Sequence, residues 1–178
     1  DFGPAIACEN TPVIFNDLSF ISSGSVTGWL YDFGLTTSNL QNPEYTFTTV
    51  GNFPVTLTAT SGLGCTGDTT ITLFINSAPT ANFSFTPNLA LVLEDVYFTD
   101  LSTGNGIGNW IWDFGDGEGD NNQNPIHSFA NGGDYELFLV VTDVNGCEDT
   151  TSKIITIALP PVLPTGFTPD GDGDNDVF

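Results

Sequence analysis

Near the C-terminus, Asp170, Asp172, Asp174 and Asp176 place a carboxylate at every second residue. That spacing lets one tight loop turn several oxygens onto a single hard cation, and calcium, with its flexible all-oxygen coordination, suits it best. The set departs from a standard calcium loop in having Asn175 where such a loop turns on Gly, and the sequence ends before a closing Glu. A weaker cluster, Asp113, Asp116, Glu118 and Asp120, has comparable spacing but reads first as a solvated hairpin turn.

Catalytic chemistry has fewer candidates. His127 is the single histidine and lies between Pro125 and Phe129. A nucleophile or general base needs partners within reach, and there is no second His, no Gly-rich phosphate loop and no cluster of His and Cys. The carboxylates fall mostly in turns between apolar runs, with no insertion to build a pocket around a pair. His127 is therefore expected to pack, and no enzyme activity is expected. Against 22 Asp and Glu stands one cation, Lys153, so the formal net charge is -21. Such a field repels nucleic acid and anionic membranes and makes calcium the first cofactor to test.

The charge does not make the chain disordered, because 39% of it is hydrophobic, including 15 Phe. No apolar run approaches the roughly 18 residues of a membrane helix, so no membrane insertion is expected. With no initiator Met and no signal-peptide core at Asp1, the chain is expected to be an internal piece of something longer.

Sliding the sequence on itself brings WLYDFG (Trp29 to Gly34) onto WIWDFG (Trp110 to Gly115). Phe15-Asn16-Asp17-Leu18-Ser19 then meets Phe98-Thr99-Asp100-Leu101-Ser102, Gln41-Asn42-Pro43 meets Gln123-Asn124-Pro125, and Gly64-Cys65 meets Gly146-Cys147, each followed by Asp-Thr-Thr. A repeat of this length suits a complete small sandwich. Apolar and polar residues alternate through 53–59, 69–75, 82–85, 96–98, 135–141 and 154–157, the period of half-buried strands. The expected fold is all-β: two tandem immunoglobulin-like antiparallel β-sandwiches over 1–78 and 79–159, the first lacking part of its opening strand, with a linker and further segment over 160–178. Pro79, Pro160 and Pro161 restrict the joints.

The WIWDFGDG stretch, Trp110 to Gly117, followed by Pro125 and an aromatic, resembles the signature of the PKD (polycystic kidney disease) domain family. The first copy departs from it at Tyr31 and at Leu35-Thr36. The tail LPTGFTPDGDGDNDVF, Leu163 to Phe178, resembles the opening of the gliding-motility-associated C-terminal sorting domain. The second resemblance implies export by type IX secretion, surface-anchoring machinery as partner, and an extracellular, outer-membrane-associated location.

Cysteine bonding is expected in such a compartment. The alignment matches Cys147 to Cys65 but puts Leu91 at the position of Cys8, so the expected pair is Cys8 with Cys65, leaving Cys147 as a free thiol. Trp29, Trp110 and Trp112 could form a platform for surface polysaccharide, but a Trp on a central strand more often packs between sheets, so burial is expected. Asp68-Thr69-Thr70 and Asp149-Thr150-Thr151 match an O-glycan acceptor pattern at Thr69 and Thr150, or are plain strand threonines. The function these readings imply is a non-catalytic stalk of a secreted, surface-anchored adhesin in gliding motility, its partners including neighbouring repeats of the same chain. The alternative is the accessory region of a secreted polysaccharide- or protein-degrading enzyme.

Overall fold

Strands come from the period-two runs and turns from the Gly, Asn and Asp clusters between them in the computed structural model, which describes residues 7–161. Copy one comprises β1 (Pro12–Ile14), β2 (Val26–Asp32), β3 (Thr37–Ser38), β4 (Glu44–Thr46), β5 (Gly51–Ser61) and β6 (Thr66–Ile75). Copy two comprises β7 (Phe83–Thr86), β8 (Leu89–Leu91), β9 (Asp95–Asp100), β10 (Ile107–Asp113), β11 (Gly119–Asp120), β12 (Ile126–Ser128), β13 (Gly133–Asp143) and β14 (Glu148–Ala158). The described residues are all-β.

In copy two a sheet of order β12-β9-β7 packs against one of order β11-β10-β13-β14-β8. Copy one repeats this with β1-β4 against β3-β2-β5-β6. Each pair of sheets encloses its own core, one built on Phe15, Tyr31, Val55 and Ile75, the other on Phe83, Trp112, Leu137 and Leu139. Even irregularities recur: the register shift between Val26 and Gly28 in β2 has its counterpart between Ile107 and Asn109 in β10. The last strand pairing is parallel, β8 with β14, and Cys8 makes the matching parallel bridge to Asn76.

The copies differ at one strand. β7 pairs with β9, Phe83 opposite Asp100 and Phe85 opposite Phe98. Among the described residues of copy one nothing takes the equivalent place beside β1.

The expected burial holds for Trp112 and is corrected for Trp29 and Trp110. Along β2 and β10 the buried residues are Tyr31 and Trp112, 0% and 2% exposed, while Trp29 and Trp110 two places earlier are only partly buried. The residue that spans the core is the second aromatic of the motif. The first sits at the sheet margin, where its amphipathic ring can keep a polar partner.

Candidate functional site

The repeated Phe-x-Asp-Leu-Ser and Gln-Asn-Pro stretches meet in space. In copy one Trp29 Nε1 donates to Asp17 Oδ2 at 2.7 Å, Gln41 Nε2 donates to the same oxygen at 3.2 Å, and the Ser19 amide donates to Asp17 Oδ1 at 2.8 Å. In copy two Trp110, Gln123 and Ser102 bind Asp100 in the same way, at 2.8, 3.0 and 2.9 Å. Asn42 and Asn124 accept from the amides of Asp17 and Asp100, and the carbonyls of Pro43 and Pro125 accept from the amides of Phe15 and Phe98. The motif is a latch that ties β2 or β10 to the opposite sheet. Both oxygens of its carboxylate are engaged by these internal donors.

Burial works to raise the pKa of Asp17 and of Asp100, but the hydrogen bonds from Ser19, Gln41 and Trp29, and from Ser102, Gln123 and Trp110, outweigh it and hold both carboxyls below the ordinary value. Tyr31, which donates to the Gln41 carbonyl at 3.1 Å, is pushed up to about 12 by burial and then by the Asp17 charge.

In the acidic turn of copy two the carboxylates serve their own backbone. Asp113, Asp116 and Asp120 accept from the amides of Gly115, Glu118 and Asn122. Gly115 has φ of +75°, and a Cβ there would come within 2.5 Å of the Glu136 carbonyl; Gly34 has φ of +90° without that contact, so the left-handed backbone is what both copies of Asp-Phe-Gly share. No group of three or more His, Cys, Asp or Glu among the described residues is placed to share a metal ion, so the structure does not bring Asp113, Asp116, Glu118 and Asp120 together. The tail set Asp170, Asp172, Asp174 and Asp176 lies outside the described residues. His127 packs as expected: it stacks on Phe114 at 4.1 Å, as Tyr45 stacks on Phe33 at 4.4 Å. Its Nε2 also meets Asp116 Oδ2 at 2.7 Å, a contact that copy one, with Leu35 and Tyr45 at these places, cannot make.

The cysteines overturn the expected pairing. Cys8 is bonded to Cys147 across the two copies, and Cys65 is free and exposed. The reason is strand direction. Cys8 bridges to Asn76 just past the end of β6, whereas Cys65 precedes its start, so the ten-residue strand between them holds the two roughly 30 Å apart at about 3.3 Å per residue. A disulfide tolerates less than ~7 Å between Cα atoms. Cys8 lies beside the linker into copy two, and so does the β13–β14 turn that carries Cys147.

A second feature sits on the inner face of copy one, a groove of about 490 Å³ whose lining includes Leu18, Phe20, Val26, Ala59, Cys65 and Thr69. In copy two the equivalent face is covered. Ala81 donates to Asp149 Oδ2 at 2.7 Å, Thr80 and Thr103 exchange amide–carbonyl bonds, the Asn82 carbonyl accepts from Leu101, and the Lys153 ammonium binds the Phe83 carbonyl while lying over the Phe83 ring. Ala59 is partly open where its counterpart Val141 is fully buried.

The profile of the PKD domain family matches residues 1–75 and again 76–158. The chain belongs to the PKD domain family. Collagenase ColQ1 of Bacillus cereus is 33% identical over 85 residues, 46% of this chain but only 9% of the collagenase, so the chain corresponds to a small part of that relative. The crystal structure of the PKD1 domain of Vibrio anguillarum Epp is 31% identical and covers 48% of this chain and 99% of that domain, with a TM-score of 0.43. The fibronectin(III)-like modules of Clostridium thermocellum CbhA cover 89% of this chain and 93% of theirs at 14% identity and a TM-score of 0.51, a likeness of fold alone.

Within the two PKD copies, the Asp-Thr-Thr stretches prove to be offset by one residue. Thr69 pairs with Leu57 and Thr150 with Val140, whereas the structural equivalent of Leu57 is Leu139, which pairs with Thr151. Thr69 consequently faces the groove and Thr150 faces outward, since a one-residue slip exchanges the faces of a strand. The PKD latch was visible in sequence as repeated motifs. The groove was not, because no strand among the described residues of copy one takes the place that β7 takes in copy two.

Proposed function

We propose that this tandem is a non-catalytic stalk segment of a secreted, surface-anchored bacterial adhesin. The observation that carries the reading is the covalent link from Cys8 to Cys147, which braces the joint between two PKD domains. A spacer needs a stiff joint, and Pro79 in the linker restricts it further. The polar groups of both latches are consumed internally, and the acidic surface keeps neighbouring stalks apart. In this reading the tail directs type IX export and outer-membrane anchoring, serving gliding motility, Thr150 carries O-glycan, and the carboxylates from Asp170 to Asp176 hold calcium. Small-angle scattering checks the stalk: the oxidised chain is expected to be elongated with one preferred joint angle, and a broad, oxidation-independent distribution of angles would overturn it. For calcium, melting should rise beyond that in sodium chloride of equal ionic strength; coincident curves remove the metal.

A second reading is favoured by the similarity to Collagenase ColQ1: an accessory region of a secreted degradative enzyme. Retention of the chain on insoluble collagen or polysaccharide would support it over the stalk.

A further inference from the structure

The bond between Cys8 and Cys147 decides how tension crosses this chain. It joins a residue ahead of β1 to the residue just before β14, at a sequence separation of 139 and with 5.7 Å between the two Cα atoms. Tension applied on the N-terminal side of Cys8 and the C-terminal side of β14 follows the shortest covalent path, through the two sulfurs and then along Glu148–Ala158. Pulling on the point where a covalent loop closes cannot lengthen the loop. The strands from β1 to β13, with the whole core of copy one and most of the core of copy two, therefore lie off the path. A bond from Cys8 to Cys65 would have taken only β1 to β5 off it.

What stays on the path has almost no length to give. β14 is one continuous strand of 11 residues, with Glu148 to Ile157 all paired to β13 and Thr156 to Ala158 also paired to β8. The load meets this strand at its two ends, and a strand is already within about 0.3 Å per residue of full extension. Neither neighbour is loaded, so nothing shears β14 out of its sheet. We propose that Cys8–Cys147 is a load-bearing shunt, which makes the tandem an inextensible link. Tension passes through one disulfide and one strand while both sandwiches stay unloaded beside them. Without the bond the load enters copy one at Cys8 and leaves at Asn76, its partner across a parallel bridge that the amides of Glu9 and Asn76 hold among the described residues. So short a bridge resists little, and the two copies then open in turn.

The shunt rests on the stalk reading for the source of the tension, but its test does not. The full oxidised chain is stretched as a single molecule between marker domains of known unfolding length fused to its two ends. Marker steps alone are expected. The Cys147→Ser variant should add about 450 Å or more, the length of the freed 139-residue separation at roughly 3.3–3.6 Å per residue. Dithiothreitol added to the parent under constant force guards against misfolding of the variant and should release the same length. There the bond becomes two thiols and the reagent closes to a cyclic disulfide. Steps the size of a copy in the oxidised parent would overturn the shunt, as would no added length in both the variant and the reduced parent. Either failure leaves the scattering profile that tests the stalk as it was. Marker-only traces from a chain with a broad range of joint angles would instead sink the stalk and keep the shunt.

Discussion

In copy two, β7 lays Phe83 edge-on against Trp112 at 5.1 Å and ties the inner face of β14 down through Asp149 and Lys153. Copy one has the same latch, the same turn before its cysteine and the same central strands, but its inner face from Ala59 to Thr69 carries no such cover among the described residues. The difference teaches that the PKD signature specifies the latch and the central hairpins, while closure of the sandwich depends on a short strand with no signature of its own. A domain of this size buries little surface to spare, so copy two should depend strongly on β7.

The largest effect should come from Phe83→Ala, which removes a fully buried ring. It should cost about 3–5 kcal/mol and bring the unfolding of copy two, followed by Trp110 and Trp112, towards that of copy one, followed by Trp29. Denaturant unfolding that leaves the copy-two transition in place would refute the role given to β7. Reducing the disulfide should follow. The bond closes a loop of 139 residues, for which the chain-entropy account gives roughly 4–5 kcal/mol as an upper figure. Calorimetry of Cys147→Ser against the parent chain, both unreduced, should show the loss. Thiol counting on the denatured parent should find Cys65 alone.

Asp17→Ala and Asp100→Ala each leave an indole N–H and a Gln amide without their acceptor, at about 1–3 kcal/mol. Equal losses in the two copies are expected, and a loss confined to copy two would mean that the latch of copy one is idle. Titration separates the copies further. The folded pKa values of Asp17 and Asp100 are lowered, so their contribution is present above the ordinary value of 3.8 and is lost in both copies as pH falls below it. Tyr31 is raised, so its contribution is present below its ordinary 10.0 and is lost as pH rises toward about 12. Copy two has Trp112 at that place and should hold out longer in alkali; simultaneous melting of both copies above pH 10 would contradict this. The smallest effect belongs to Asp116→Leu, which restores the copy-one residue and removes the contact with His127. Loss of one partly exposed contact of this kind is worth about 1 kcal/mol or less, read as a small shift of copy-two unfolding in denaturant.

Much of this molecule was determined along the chain. The period-two runs made the strands, since alternation leaves one face to bury, and the doubled Trp-x-x-Asp-Phe-Gly located β2 and β10 and their turns. Repeated Asp17 and Asp100, with Gln41 and Gln123, marked residues that answer to one another, because a latch inside one domain must be carried by each copy. What only the tertiary structure decided involves direction and faces. Cys8 and Cys65 stand at opposite ends of β6 although they align as a pair on paper, and Thr69 and Thr150 match in letters yet face opposite ways. Side-chain pattern reports which residues share a face but not which end of a strand meets which neighbour. The bond from Cys8 to Cys147 belongs to the junction between copies, and no periodicity within a copy encodes a junction.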